Sequence, residues 1–333
     1  TRRSSDLGER NLKLTYYLDP VLGVNRRETS MHLISSQSGT GALLIVNPYN
    51  REFADRICFI DSSARERTIT GDRKEFFGTG SLCAPDALKH EKLIGALGAG
   101  LDPCAAMQVD IRLPAGETCE LAFLLGMAGE PGRVRELSES FRSVERAKTA
   151  LLEVKEFWQQ KLQTVQVDTP DPSMNIMLNG WLLYQAISCR MWARTAFYQA
   201  GGAFGFRDQL QDSLSVLAVW PELARNQIVR HASHQFLQGD VLHWWHEPAG
   251  KGTRTRFSDD YLWLPYVAAE YVGATGDYEV LKVEAPFLDD DLLRKYEDER
   301  YCHPRVTQET ASVFDHCIRA IEYGLRFGGG GLP

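Results

Sequence analysis

Hydrophobic positions along the chain follow two different periods. From residue 10 to about residue 128 they come in short runs. Leu12-Lys13-Leu14-Thr15-Tyr16-Tyr17-Leu18 alternates, whereas Gly41-Ala42-Leu43-Leu44-Ile45-Val46 is a continuous run of the buried type, closed by a turn at Asn47-Pro48-Tyr49-Asn50. Residues 56–60, 106–113 and 120–125 give further strands, with Pro114-Ala115-Gly116-Glu117 as a hairpin-like turn between the last two. Short strands punctuated by Gly, Pro and Asn predict a β-sandwich over residues 1–130.

Beyond Pro131 the period lengthens. Leu137, Phe141, Val144, Ala147, Leu151, Val154, Phe157 and Leu162 recur mostly at three- and four-residue steps, which predicts a long amphipathic helical linker over 131–167 with a solvated Arg/Glu/Lys face. From Asp171 onward the expectation is nearly all helix. Asp171-Pro172 is a cap followed by a first-turn proline, and that helix runs to about Ala193. Further helices open at Pro221, at Ser258-Asp259-Asp260 (running to Ala274) and at Thr310 or Ser312 (ending at Arg326). Several are apolar on more than one face, so they belong in a helical core. Loops rich in Gly, Trp and His suggest a toroid of helical hairpins, part of which occupies 168–333, with its binding face at the loops. The fold class is α+β and multi-domain.

Composition narrows the possible functions. At 44% hydrophobic and 24% charged residues, the 333-residue chain is ordinary for a globular protein, which excludes a disordered or fibrous one. No apolar run reaches the ~20 residues that span a bilayer, so no membrane contact is expected of this segment. Thr1-Arg2-Arg3-Ser4-Ser5-Asp6 is no secretory leader, and the missing initiator Met suggests a piece of something longer. A net charge of −7 argues against nucleic acid as partner, and Arg26-Arg27 and Arg65 to Arg67 are short basic clusters of solvated surface. The seven cysteines are scattered without C-x-x-C, the pattern of reduced thiols in a cytoplasmic protein rather than a disulfide frame or zinc site. The acidic stretch from Asp289 to Arg300 is expected to be a solvated helix face.

Three stretches carry candidate chemistry. In Gly205-Phe206-Arg207-Asp208-Gln209-Leu210-Gln211-Asp212, behind a Gly-rich loop, Asp208 and Asp212 share a helix face. Two carboxylates and an arginine can grip the vicinal hydroxyls of a sugar; the alternative is a capping Asp208 with Arg207 as its surface partner. No Gly-Lys-Ser/Thr follows, so this is not a phosphate loop. In Leu242-His243-Trp244-Trp245-His246-Glu247-Pro248, rings can stack on sugar faces while His and Glu reach hydroxyls; the alternative is a pair of core tryptophans with satisfied histidines. The spacing is not H-E-x-x-H, which speaks against a metal. In Arg256-Phe257-Ser258-Asp259-Asp260-Tyr261-Leu262-Trp263-Leu264, a second acidic pair meets an aromatic at a helix start, where the helix dipole alone would also favour carboxylates. Acidic, aromatic stretches in a helical domain behind a β-sandwich point to carbohydrate chemistry.

These stretches, with Gly41 to Phe53, Gly98 to Gln108 and Asp315 to Pro333, resemble glycoside hydrolase family 94, the inverting sugar phosphorylases. Within it they resemble the phosphorylase-like C-terminal region of cyclic β-1,2-glucan synthases and the 1,2-β-oligoglucan phosphorylases. The resemblance implies a β-sandwich, a helical linker and an (α/α)6 barrel, of which this chain holds the first part. It implies no cofactor: inorganic phosphate is a co-substrate that attacks the anomeric carbon of a β-glucooligosaccharide while an Asp protonates the leaving oxygen. It implies that Arg207, Asp208 and Asp212 bind the glucosyl unit, that His243, Trp244, His246 and Glu247 line the cleft, and that Arg194 contacts phosphate or sugar. In the family a Gly-Asp-Trp-Asn-Asp motif holding the general acid follows the match to Gly331-Leu332-Pro333, so no residue of this chain is expected to be that acid. The expected function is that of a phosphorylase fragment inactive by itself; an inner-membrane anchor in its parent and a homodimer of the fragment are further expectations. The competing readings are a non-catalytic sugar-binding or regulatory module, and a hydrolase that uses water with Asp208, Asp212 or Glu247 as acid and base.

Overall fold

The computed structural model describes residues 2–3, 8–195, 201–325 and 329–331. The chain forms two compact units, 1–155 and 156–333. The first is built on strands β1 (Arg10–Leu18), β2 (Ile34–Gln37), β3 (Leu43–Val46), β4 (Ile57–Ser62), β5 (Thr68–Asp72), β6 (Pro103–Leu113) and β7 (Phe123–Ala128). They make two antiparallel sheets, ordered β1-β6-β5 and β2-β3-β4-β7. Ile69, Ala105 and Met107 of one sheet share a buried cluster with Leu43, Ile45 and Ile60 of the other. Side chains alternate across a strand, so Cys104 and Ala106 point the opposite way, where Phe76 of the short helix Arg73–Phe77 covers them. On the outer face of the second sheet, Ile57 and Phe59 pack against Val134 of α1 (Pro131–Phe141). The expected sandwich therefore has a helical cover on each outer face.

Two expectations for this unit need correction. The turn at 114–117 forms, with the Glu117 N–H donating to Pro114 O at 3.2 Å, but β6 and β7 lie in different sheets. Leu121 and Phe123 pack with Val109, Ile111 and Leu113 of β6, so the chain crosses between the sheets instead of returning as a hairpin. The linker is also not one helix: α1 stops at Phe141 and α2 (Val144–Leu162) starts afresh. Arg142 leaves the helix to reach Asp61, a fully buried carboxylate also paired to Arg67, with contacts of 2.6 and 2.7 Å. A buried charge is tolerable only when paired. Ser143 Oγ then accepts the Arg146 N–H at 3.0 Å and caps the second helix.

The second unit overturns the expectation of an almost purely helical half. It holds α3 (Phe206–Leu214), α4 (Pro221–Ala232), α5 (Trp263–Thr275) and α6 (Val313–Gly324), packed around Leu210, Ile228, Leu264, Val267 and Cys317. It also holds strands β8 (Phe204–Gly205), β9 (Leu242–His246), β10 (Lys251–Thr255), β11 (Glu284–Asp289), β12 (Glu299–Cys302) and β13 (Arg305–Ser312). These form a sheet of order β8-β9-β10-β12 and a separate β11-β13 pair. Bulky aromatics favour strands, and the Glu247-Pro248-Ala249-Gly250 turn closes β9 and β10 into a hairpin, Gly250 sitting at φ 66°. Ser312 caps α6. The expected helix end at Arg326 and the match at Leu332-Pro333 lie outside the described residues.

The acidic stretch 289–300 is not a helix face either. Arg254 and Arg256 donate to the carbonyls of Asp290, Asp291, Leu293, Arg294 and Glu297, so those oxygens serve guanidinium groups instead of helical amides. Upstream, residues 172–192 form one helical run in which α turns (Pro172–Ile176, Leu182–Gln185) alternate with π turns (Met177–Trp181, Ala186–Trp192). No helix among the described residues is long and apolar enough to cross a membrane.

Candidate functional site

Strand pairing brings the three stretches singled out in the sequence to one place. β8 opens the first stretch and pairs with β9, the second, in the register Phe204↔Trp245 and Gly205↔Trp244. β9 pairs in turn with β10, which leads directly into the third.

Within β9 a bulge decides which side chains are presented. Strict alternation would send Leu242, Trp244 and His246 to one face and His243 and Trp245 to the other. The register shifts between Leu242 and Trp244, so Leu242 and Trp245 are buried while His243, Trp244 and His246 are all half-exposed. Of the tryptophan pair, Trp245 is core: it stacks on Phe204 at 5.3 Å and on His234 at 3.9 Å. Trp244 stands at the surface between His246 and Tyr301, with ring centroids 5.4 and 5.8 Å away.

At the start of α3, Gly205 has φ −102°, a conformation open to any residue, yet a Cβ there would collide with the Asp208 carboxylate. The glycine is needed for close approach, and it seats Asp208 over the first helical turn. Gln209 Oε1 accepts the Gly205 N–H at 2.5 Å and closes that turn. Arg207 does not pair with either neighbouring aspartate. It reaches Asp259 at 2.8 Å and lies 5.6 Å from the Trp263 ring centroid. Asp212 is half-buried and ion-paired to Arg190 Nη2 at 2.6 Å. Burial pushes its carboxyl above the usual range, against the pull of Arg190, and the nearby Asp208 adds to the rise.

Asp260, expected to be a helix-start carboxylate, is only 2% exposed, and its Oδ2 accepts from His243 Nδ1 at 2.7 Å. That hydrogen bond raises the His243 pKa, with Asp208 and Asp259 adding to the effect. Asp260 Oδ1 is buried with no hydrogen-bond partner among the described residues. Arg207, Asp208, Asp259, Asp260 and His243 thus form one charged group, beside a cavity of about 560 Å³ lined by Phe257, Ser258, Asp259, Tyr261 and Tyr323.

Arg194 and Glu247 belong to a second group. The Arg194 guanidinium lies 4.2 Å from the Phe204 ring centroid and donates to Gly202 O at 2.9 Å. Arg230 lies 4.5 Å from the same centroid and 3.5 Å from Glu247. His246 Nε2 borders the Gly201 backbone. Beneath both groups His231 is fully buried between Phe206 and Trp245, and desolvation drives its pKa down to about 3. Sequence reasoning missed Arg190 and Arg230, which sit in helices with nothing local to mark them, and missed that His243 and Asp260 are partners. Among the described residues no group of three or more His, Cys, Asp or Glu is placed to hold a metal ion.

The two units correspond to the two domains of a family of carbohydrate-active proteins, and the chain belongs to glycoside hydrolase family 94. The family's catalytic domain matches residues 157–333 and its supersandwich domain residues 5–144. Over its whole length the chain is 39% identical to the cyclic β-(1,2)-glucan synthase NdvB of Rhizobium meliloti (strain 1021), of which it spans 12%. It is 25% identical to N,N'-diacetylchitobiose phosphorylase of Vibrio proteolyticus over 84% of this chain and 36% of that one. It is also 25% identical to cellobionic acid phosphorylase of Neurospora crassa, over 77% and 32%.

Proposed function

We propose that this chain carries the sugar-gripping part of an inverting β-glucan phosphorylase domain. Its substrates would be β-1,2-linked glucooligosaccharides and inorganic phosphate, and the product glucose 1-phosphate. The observation that carries the reading is the strand pairing that gathers the Gly205–Asp212, Leu242–Pro248 and Arg256–Leu264 stretches around one surface. In this reading Arg207, Asp208 and Asp212 hold the hydroxyls of the glucosyl ring whose bond is broken, the two carboxylates as acceptors and the guanidinium as donor. Trp244 offers a stacking face, with His246 and Glu247 beside it. Arg194 meets phosphate, and the adjacent Arg230 guanidinium supports an anion there. Helices α3 to α6 would be hairpins of an (α/α)6 barrel, with 131–167 as the linker that precedes it.

Phosphate attacks the anomeric carbon from the face opposite the leaving oxygen, which inverts the configuration, and a general acid protonates that oxygen. None of the carboxylates described above is assigned as the acid. The chain by itself is therefore expected to bind sugar without turning it over. Incubation of the isolated chain with a β-1,2-glucooligosaccharide and phosphate tests this. Clear release of glucose 1-phosphate would show that the acid lies within these residues, and free glucose made without phosphate would favour the hydrolase reading. Calorimetric binding of the oligosaccharide is expected, and is expected to weaken in Asp212→Asn.

A further inference from the structure

The proposed function gives the cleft residue His243 no specific contact and its buried partner Asp260 no task. We infer that His243 is a sugar-contacting residue of the cleft, held by Asp260 so that its Nε2–H donates to a hydroxyl of the bound glucosyl unit. The inference rests on the reading of this surface as a glucosyl site.

Its first support is the orientation of the ring. Asp260 Oδ2 takes the Nδ1–H at 2.7 Å, which leaves Nε2 as the outward-facing nitrogen. Nε2 makes no hydrogen bond among the described residues, and the His243 side chain keeps a relative exposure of 33% while its partner keeps 2%. A histidine serving only to satisfy a buried aspartate needs no such opening. The second support is the β9 bulge, beside which His243 stays half-exposed, as Trp244 and His246 do, although alternation would group it with the buried Trp245. The same irregularity keeps Trp245 in the core while its neighbours are presented, and bulges beside binding sites commonly re-aim a side chain.

The third support is the surrounding charge. From the α3 side, Asp208 faces the ring; from the turn before α5, Asp259 and Asp260 do; Phe257 covers it at 4.8 Å. Arg207 neutralises Asp259. Arg254 of the adjoining strand, the register partner of Leu242, is spent on Asp240 in the interior. An imidazolium is thus the second cation among three carboxylates, and the raised pKa of His243 agrees with this. A protonated ring offers a charge-assisted donor to a sugar hydroxyl, stronger than a neutral one. Asp208 and Asp212 accept and the Arg207 donor is shared with Asp259, so His243 adds a second donor for the oxygens of a hydroxyl-bearing ligand.

The test uses the intact chain, with the β-1,2-linked glucose disaccharide as probe. Imidazole NMR signals are followed from pH 5 to pH 9 with and without the disaccharide, and affinity is measured by calorimetry over the same range. His243 is expected to titrate above the ordinary imidazole value of about 6.5, to titrate higher still with sugar bound, and to fall back in Asp260→Asn. Affinity is expected to drop by about tenfold as the ring deprotonates, and His243→Gln is expected to lose both that pH dependence and about tenfold in affinity. Melting temperatures near wild type in either variant separate this from misfolding. If the disaccharide binds and perturbs Trp244 while the His243 signals and the pH profile stay unchanged, this inference is overturned and the functional reading stands. If the disaccharide fails to bind anywhere in the pH range, the functional reading falls and takes the inference with it.

Discussion

His231 illustrates how much a single side chain in this fold depends on its surroundings. Its Nδ1–H donates to Gln227 O at 2.7 Å and its ring edges meet Phe206 and Trp245, with no exposed surface. Held neutral to about pH 3, it differs from the unfolded chain, where it would protonate near 6.5. Below pH 6.5 the unfolded state therefore binds the extra proton and stability falls with acidification, by up to ~1.4 kcal/mol per pH unit from this one group. His234, held down to about 4 and stacked on Trp245, acts in the same direction. Urea denaturation followed by tryptophan fluorescence at pH 7 and pH 5 is expected to show a clearly lower midpoint at pH 5. Equal midpoints would mean that His231 is not neutral in the fold.

Among the elements, the β9–β10 hairpin matters most and was the least legible. Its strand was hidden because the bulge breaks the period of two: the burial order of Leu242 to His246 is in, out, out, in, out, which no alternation template matches. The first unit was easier, because Leu43 to Val46 is an unbroken apolar run and Pro103 to Leu113 passes from one into strict alternation at Val109, Ile111 and Leu113, with turn residues after each. What escaped there was the pairing between strands, set by contacts distant in sequence such as Ile60 with Leu125 and Leu12 with Ile111. The site residues were legible as residue types, through the Asp pairs and the Trp pair, but their partners were not. Arg207 meets Asp259, 52 positions away, and Asp212 meets Arg190 on another element. The hairpin also carries a buried ion pair: Arg254, fully enclosed, makes paired contacts of 2.6 and 2.7 Å to Asp240. Arg254→Leu strands that carboxylate and is expected to cost about 3–5 kcal/mol, while Arg254→Leu with Asp240→Leu recovers much of the loss. Chemical denaturation of the three proteins checks this; equal stability of the single and double variants would contradict it.

For the whole molecule, the notable property is apolar surface left open on the helical run 172–192. Ile176 and Trp181 are exposed at 71% and 53%, with Met174 and Leu182 nearby in sequence at 49% and 48%. Exposed apolar patches serve as contact surfaces or promote aggregation. The isolated chain is expected to self-associate with rising concentration despite its net charge of −7, and Trp181→Glu to reduce that tendency. Light scattering across a concentration series decides the point, and a monomer throughout would count against it.

The π turns of that same run carry a consequence of a different kind. A π turn spends more residues per revolution than an α turn, so the compass direction of Arg190 depends on how many residues precede it and not on which ones they are. Ile187 and Met191 are buried in that run, and a change of count displaces them together with Arg190. Removing Ser188 is expected to let the segment relax to ordinary α-helix and keep its helical circular dichroism. It would also swing one part of the run by about 100° against the other and part Arg190 from Asp212. Sugar affinity would then be lost from a protein whose every binding residue is still present.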